Sequence, residues 1–148
     1  WKRSREMISK LADEAGKLGI CLAMESLRPQ ESQLVVTLKD AKRMYDEVNS
    51  PNLKILIDTT AMSVQGETID DWFDVFGDEV IHTHFIDSNP YGHLAWGFGN
   101  RSLQEYLEAL NRHNYQGCLG QELTEFDYYE NPGEIDRKNM AAFEPFIR

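Results

Sequence analysis

The sequence predicts an α/β protein built on a parallel β-sheet, and three observations carry that reading. An opening helical stretch is followed by four repeats of a short apolar run and a helical stretch. The runs begin about 27 to 37 residues apart, the size of one βα unit. They are apolar at both parities rather than alternating, which suits parallel strands covered on both faces. Four consecutive βα units leave two architectures open, a doubly wound sheet or part of a (β/α)8 barrel. No G-x-G-x-x-G follows any run, so a dinucleotide fold has no support.

Each element has a local reason. Residues 1–18 place Met7, Ile8, Leu11, Ala15 and Leu18 at helical spacing, and Gly19 supplies the stop. The run GICLAME reads as a strand ending in Glu25, and the Pro-containing stretch after it reads as a loop. Thr37 is a cap for the helix TLKDAKRMYDEV, with Asp40 three residues on. LKILID is the second strand, ending in Asp58, and TTAMSVQGE reads as a loop. Thr68 opens a short helix carrying Trp72, Phe73 and Phe76 as core residues, and Gly77-Asp78 ends it. EVIHTHFID is the third strand, closing on His84 and Asp87. SNPYGHLAWGFGN, rich in Gly and containing Pro90, reads as a long loop. RSLQEYLEALNRH is an amphipathic helix with Leu103, Tyr106, Leu107 and Leu110 on one face. GCLGQE is the fourth strand, ending in Glu122, and a final helix is expected near 134–147.

The chain has 148 residues, read as one domain over 1–148, with composition ordinary for a folded protein. No apolar run approaches the roughly 20 residues that span a bilayer, so no membrane role is expected. A net charge of −10 makes nucleic acid an unsuitable partner. Two cysteines, Cys21 and Cys118, are too few for a disulfide framework and are read as small core residues. With no leader visible, the expected location is cytoplasmic.

The informative polar residues stand at the strand ends. All four runs close on a metal-capable side chain: Glu25, Asp58, His84 and Glu122. Any one alone reads as a helix cap, a loop charge or a packed histidine. Four of four is different, because the carboxyl ends of parallel strands form the functional face of such folds. If the strands curve about one axis, the four side chains converge. Three carboxylates and an imidazole suit Mn²⁺ first, with Mg²⁺, Co²⁺ or Zn²⁺ as alternatives. His82 shares a strand face with His84 and is expected as a buried, hydrogen-bonded support. Glu31, in the loop after the first strand, would alone be a surface charge.

The segments AMESLRPQES, LIDTTAM, HTHFIDSN, GFGN and YQGCLGQELT resemble, in order, motifs of the xylose-isomerase-like sugar isomerase/epimerase superfamily. The likeness is to its fructoselysine 3-epimerase-like members, then to its ketose 3-epimerases. It implies the C-terminal half of a (β/α)8 barrel, strands five to eight, with four more βα units preceding Trp1. By the same resemblance Glu25, Asp58, His84 and Glu122 hold a divalent ion, and Glu25 and Glu122 are the catalytic acid/base pair. Glu31 matches a glutamate that orients the first of these. Where ketose epimerases carry a substrate-contacting His and an Arg, this chain has Ala61 and Pro90; the fructoselysine-type branch also has a small residue at the first position.

The implied activity is epimerisation of a ketose or fructosamine, by proton abstraction next to the carbonyl through a metal-stabilised enediolate. Alternatives are an aldose–ketose isomerase, a non-catalytic half-barrel and, last, an abasic-site endonuclease, which would want more histidines. The expected partners are a small sugar and either a missing N-terminal half or a second copy, because apolar edge strands seek a partner.

Overall fold

The computed structural model describes residues 1–147, which alternate helices and strands as α1 (Lys2–Lys17), β1 (Leu22–Glu25), α2 (Leu38–Val48), β2 (Leu53–Asp58), α3 (Thr59–Val64), α4 (Ile69–Phe76), β3 (Val80–His84), β4 (Asp87–Asn89), β5 (Tyr91–Leu94), α5 (Leu103–Arg112), β6 (Cys118–Gly120) and α6 (Pro132–Phe143). None of the described helices is long and apolar enough to cross a membrane. The caps are those the sequence requires. Thr37 and Thr68 each close a capping box, with Asp40 and Asp71 respectively. The side-chain oxygen takes an otherwise orphaned N–H, and the acid returns a bond to the cap's own N–H. Gly19 stands at φ +70° after α1, a conformation that costs a side-chain-bearing residue and not glycine.

The four runs pair in the order β1-β2-β3-β6, all parallel. The (β/α) succession is therefore real, and each strand's neighbour is the next unit in sequence. Helices pack on the face carrying Leu53, Ile55 and Ile57, where Met44, Trp72, Phe73 and Phe76 complete the core. α1 meets that core through Ala12, Ala15 and Ile8, whereas Met7, Leu11 and Leu18 are exposed. The buried stripe of α1 is thus rotated from the one expected.

Both faces of the sheet were expected to be covered, and among the described residues the second, opposite the helices, is covered only in part, around Leu56 and Asp58. The register puts Ala23, Lys54, His82 and Cys118 on the opposite face. Ala23 and Cys118 are exposed there. Cys21 is exposed as well, so the reading of both cysteines as core residues is corrected. The cause is position: both lie on or beside an edge strand, one just before β1 and one opening β6.

Two segments read as loops are ordered. Asp58 caps α3, its Oδ1 accepting from the Ala61 N–H at 2.7 Å. Thr59-Thr60 and Ser63 are poor helix formers in a segment too short to show a period, so only the cap could have announced it. The stretch after β3 folds back as the antiparallel hairpin β4–β5, turning at Pro90. The final helix ends at Phe143 and tightens into a 3₁₀ turn, Glu144–Phe146.

Asp87 organises the segment after the hairpin. Its buried carboxylate accepts four backbone N–H bonds, from Ser88 (2.8 Å) and Arg101 (3.0 Å) on Oδ1 and from Gly97 (3.1 Å) and Gly99 (2.8 Å) on Oδ2. A Cβ on Gly99 would overlap that carboxylate, which explains the glycine. Replacing Asp87 by Ala would strand four donors around a void. Asp87→Ala should cost about 3 kcal/mol of unfolding free energy in denaturant titrations; a loss under about 1 kcal/mol would show the carboxylate to be dispensable.

Candidate metal centre

Parallel register brings the strand ends to the same edge of the sheet. Asp58 sits opposite His84, His84 opposite Gly120, and Glu122 follows two residues beyond the last strand pair. Glu25 closes β1 opposite Leu56. One ligand-capable atom from each of Glu25, Asp58, His84 and Glu122 lies within 4.8 Å of all the others. His84 is the hub: its Nδ1 is 2.7 Å from Glu25 Oε1, 3.2 Å from Glu122 Oε2 and 3.8 Å from Asp58 Oδ2. All four residues predicted from the strand ends are thus brought together.

The cluster is electrostatically uncomfortable. Burial, foremost, raises the proton affinity of Glu25, with Asp58 and Glu122 adding repulsion and His84 opposing. Burial likewise raises that of Asp58, against the Ala61 N–H and the two nearby histidines. Asp58 is 2% exposed, and its Oδ2 is fully buried with no hydrogen-bond partner. A buried, unpartnered carboxylate oxygen facing two other carboxylates is a donor that a cation would satisfy. The residues therefore fit a hard divalent ion: three oxygen donors, one imidazole nitrogen and an orphaned anion among them.

His93 was not identified in the sequence. It comes from the hairpin, is 9% exposed, and places Nδ1 3.1 Å from Glu122 Oε2 and Nε2 3.8 Å from Asp58 Oδ2. No spacing rule links it to the strand ends, because a β-hairpin delivers it from a segment that is rich in Gly and contains Pro90. A cavity of about 80 Å³ lies here, lined by Glu25, Arg28, Asp58, Ala61, His93 and Glu122 among others. Larger clefts exist, including one of about 480 Å³ flanked by α4 and α5, but its Arg112 is already paired with Asp70. The small cavity is where the clustered carboxylates and His93 converge.

The other two predicted residues behave differently. Glu31 is exposed and bound by the Arg28 guanidinium, whose Nε donates to it at 3.0 Å and whose second nitrogen makes a shorter contact. That pairing holds the Glu31 carboxyl below the usual carboxylate range. Its hydrogen bonds go to Arg28 and not to Glu25. His82 was expected to be buried and hydrogen-bonded; it is only half-buried, and its described contact is an edge-on approach to the His84 ring at 5.7 Å. The incomplete cover of that sheet face is the reason.

The sequence pattern of the xylose isomerase-like TIM barrel matches residues 1–145. The chain is 30% identical over 149 aligned residues to a fructoselysine 3-epimerase of Escherichia coli O157:H7, across 99% of this chain and 54% of that protein. It is 31% identical to a D-psicose 3-epimerase of Enterocloster bolteae, across 78% of this chain and 36% of that one. Among solved structures, a D-allulose 3-epimerase from Methylomonas sp. superposes with a TM-score of 0.78 at 20% identity, covering 97% of this chain and 55% of the other. That last likeness concerns the fold. The chain spans about half the length of the first curated relative it matches.

The raised proton affinities set a sign for pH. A carboxyl that binds its proton more tightly when folded contributes stability below the ordinary carboxylate range, and loses it as pH climbs through the raised value. In EDTA, the melting temperature of the parent chain should fall relative to Glu25→Gln as pH rises above the ordinary carboxylate range. The opposite slope would mean that Glu25 gains charge stabilisation on folding.

Proposed function

The chain belongs to the xylose isomerase-like TIM barrel family, and from that premise we propose that it carries the metal-binding, proton-transferring half of a sugar epimerase acting on a ketose or fructosamine. The observation that carries the reading is the convergence of Glu25, Asp58, His84 and Glu122 around a buried, unpartnered carboxylate oxygen. Asp58 Oδ2, His84 Nδ1 and one oxygen from each glutamate would hold the ion, Mn²⁺ before Mg²⁺, Co²⁺ or Zn²⁺. A divalent cation there supplies Lewis acidity, which makes a C–H beside a carbonyl acidic enough to lose its proton.

The chain's own groups do the proton work. Glu25 and Glu122 are in unlike settings, one ending a strand and hydrogen-bonded to His84, the other more open on a loop. Unlike settings suit the two carboxylates to different roles, as an acid and a base require. One carboxylate takes the proton from carbon, and the other returns a proton to the opposite face, inverting that centre. Arg28 and Glu31 stand at the rim, where their hydrogen-bonding groups suit sugar hydroxyls, and His82 lies one layer beneath His84. Aldose–ketose isomerisation would use the same pair and differs in the product.

The test uses the intact protein with Mn²⁺, following C3 inversion of D-psicose and of fructoselysine. Glu25→Gln and Glu122→Gln should each lower kcat at least about 100-fold while keeping the fold, since such groups contribute 10²–10⁴-fold. Retention of a tenth of kcat in either would count against the assignment.

Mn²⁺ should raise the melting temperature of the protein and EDTA should reverse it, as for any ligand of the native state alone. A melting curve indifferent to both would sink the metal assignment.

We further place the open edges of β1 and β6 against other strands in the working protein, supplied by more chain or by a second copy. These 148 residues alone should dimerise or aggregate in light scattering; a stable monomer at high concentration would refute this.

A further inference from the structure

We propose that the β4–β5 hairpin is a positioning device for Glu122, and that His93 is the residue through which it acts. The inference rests on the reading of Glu122 as a metal and proton-transfer group.

Glu122 is the least secured member of the cluster. Glu25 and His84 end strands, and Asp58 is tied by its own cap to α3. Glu122 lies beyond β6, and 41% of its side chain is exposed. A carboxylate on a loop needs something else to aim it. The hairpin meets that loop repeatedly. The His93 backbone N–H donates to Glu125 Oε1 at 3.1 Å, and the Ala95 N–H donates to the Tyr128 hydroxyl at 3.2 Å. Gly92, at φ +95°, lets Glu125 approach: a Cβ there would come within 2.7 Å of Glu125 Oε1. The hairpin is itself held, because Thr60 Oγ1 of α3 donates to the Gly92 carbonyl at 3.1 Å. A chain of contacts thus runs from α3, through the hairpin, to the segment that follows Glu122.

Within that frame His93 points inward. Its Nδ1 is fully buried, makes no well-formed hydrogen bond, and has Glu122 Oε2 as its neighbour at 3.1 Å. A buried ring nitrogen is not left idle at no cost. Hydrogen bonds at reactive sites are often misaligned until the site is loaded. With Nδ1 carrying the proton, a small turn of the Glu122 carboxyl makes Nδ1–H the donor to Oε2 and leaves the other carboxylate oxygen for its chemistry. Outer partners of this kind hold ligand carboxylates in place, and their loss typically costs 10–100-fold in metal affinity or activity.

The experiment measures Mn²⁺ affinity by paramagnetic resonance, melting temperature in EDTA, and kcat and KM on D-psicose and fructoselysine, all in the intact protein. His93→Ala should weaken Mn²⁺ binding or lower kcat by about 10–100-fold with KM little changed. The melting temperature in EDTA should stay within a few degrees, which a merely structural role would not allow. His93→Asn, whose amide nitrogen can sit where Nδ1 does, should restore most of the loss, and His93→Gln, which reaches the Nε2 position, should not. Mn²⁺ affinity and kcat within about threefold of the parent in His93→Ala would overturn the inference alone. A parent protein that binds no Mn²⁺ overturns the metal reading and this inference with it. If His93→Ala fails to fold, the Asn and Gln variants decide: Gln equal to or better than Asn overturns the proposal.

Discussion

Like charges crowded at one point set the terms for everything around them. Three carboxylates and an imidazole within 4.8 Å would spread apart on a flexible loop. Here Glu25, Asp58 and His84 are anchored by strands in parallel register, whose hydrogen-bond ladders and buried aliphatic face resist the repulsion. The core behind the sheet, Ile55, Ile57, Met44 and Trp72, is fully buried and gives the strands a stiff backing. The cost of the crowding is local, and its stabilisation comes from apolar packing on the other side.

Two aspartates show how the same side chain serves different ends. Asp87 has both oxygens saturated by backbone N–H donors, so it organises a loop and has nothing left to offer a ligand. Asp58 has one oxygen saturated by the Ala61 N–H and the other bare. The saturated oxygen fixes the carboxylate plane, and the bare one is thereby aimed. A count of donors around each oxygen separates the acid whose oxygens are both engaged from the one with an oxygen bare, where burial alone would not, since both are nearly inaccessible.

Much of this was legible in the sequence because it follows from local rules. Thr37 and Thr68 announced their helices through caps, and the apolar runs announced strands through length and unbroken hydrophobicity. The convergence of Glu25, Asp58, His84 and Glu122 was legible because three of them end their strands and the fourth follows its strand by two residues. What escaped depended on tertiary structure. The hairpin is held by long-range contacts, and its Pro and Gly read locally as a loop, so His93 was hidden with it. The exposure of Cys21 and Cys118 depends on which strands form the edges, and no run of residues encodes that. α3 hid behind the same aspartate that betrayed the site: Asp58 was read for what it could bind, and its other oxygen was starting a helix.

The strand order has a consequence in time. Because β1, β2, β3 and β6 lie side by side in the order they are synthesised, each strand can dock on its predecessor while the rest of the chain is still unmade. The first three members of the cluster can therefore gather early on a ribosome, with their mutual repulsion only partly relieved. Glu122 arrives last, after the hairpin that meets its loop. Glu122 is the last of the clustered side chains to be made, with only α6 to follow, so a nascent polypeptide stalled or clipped before it would carry most of the scaffold without the complete cluster.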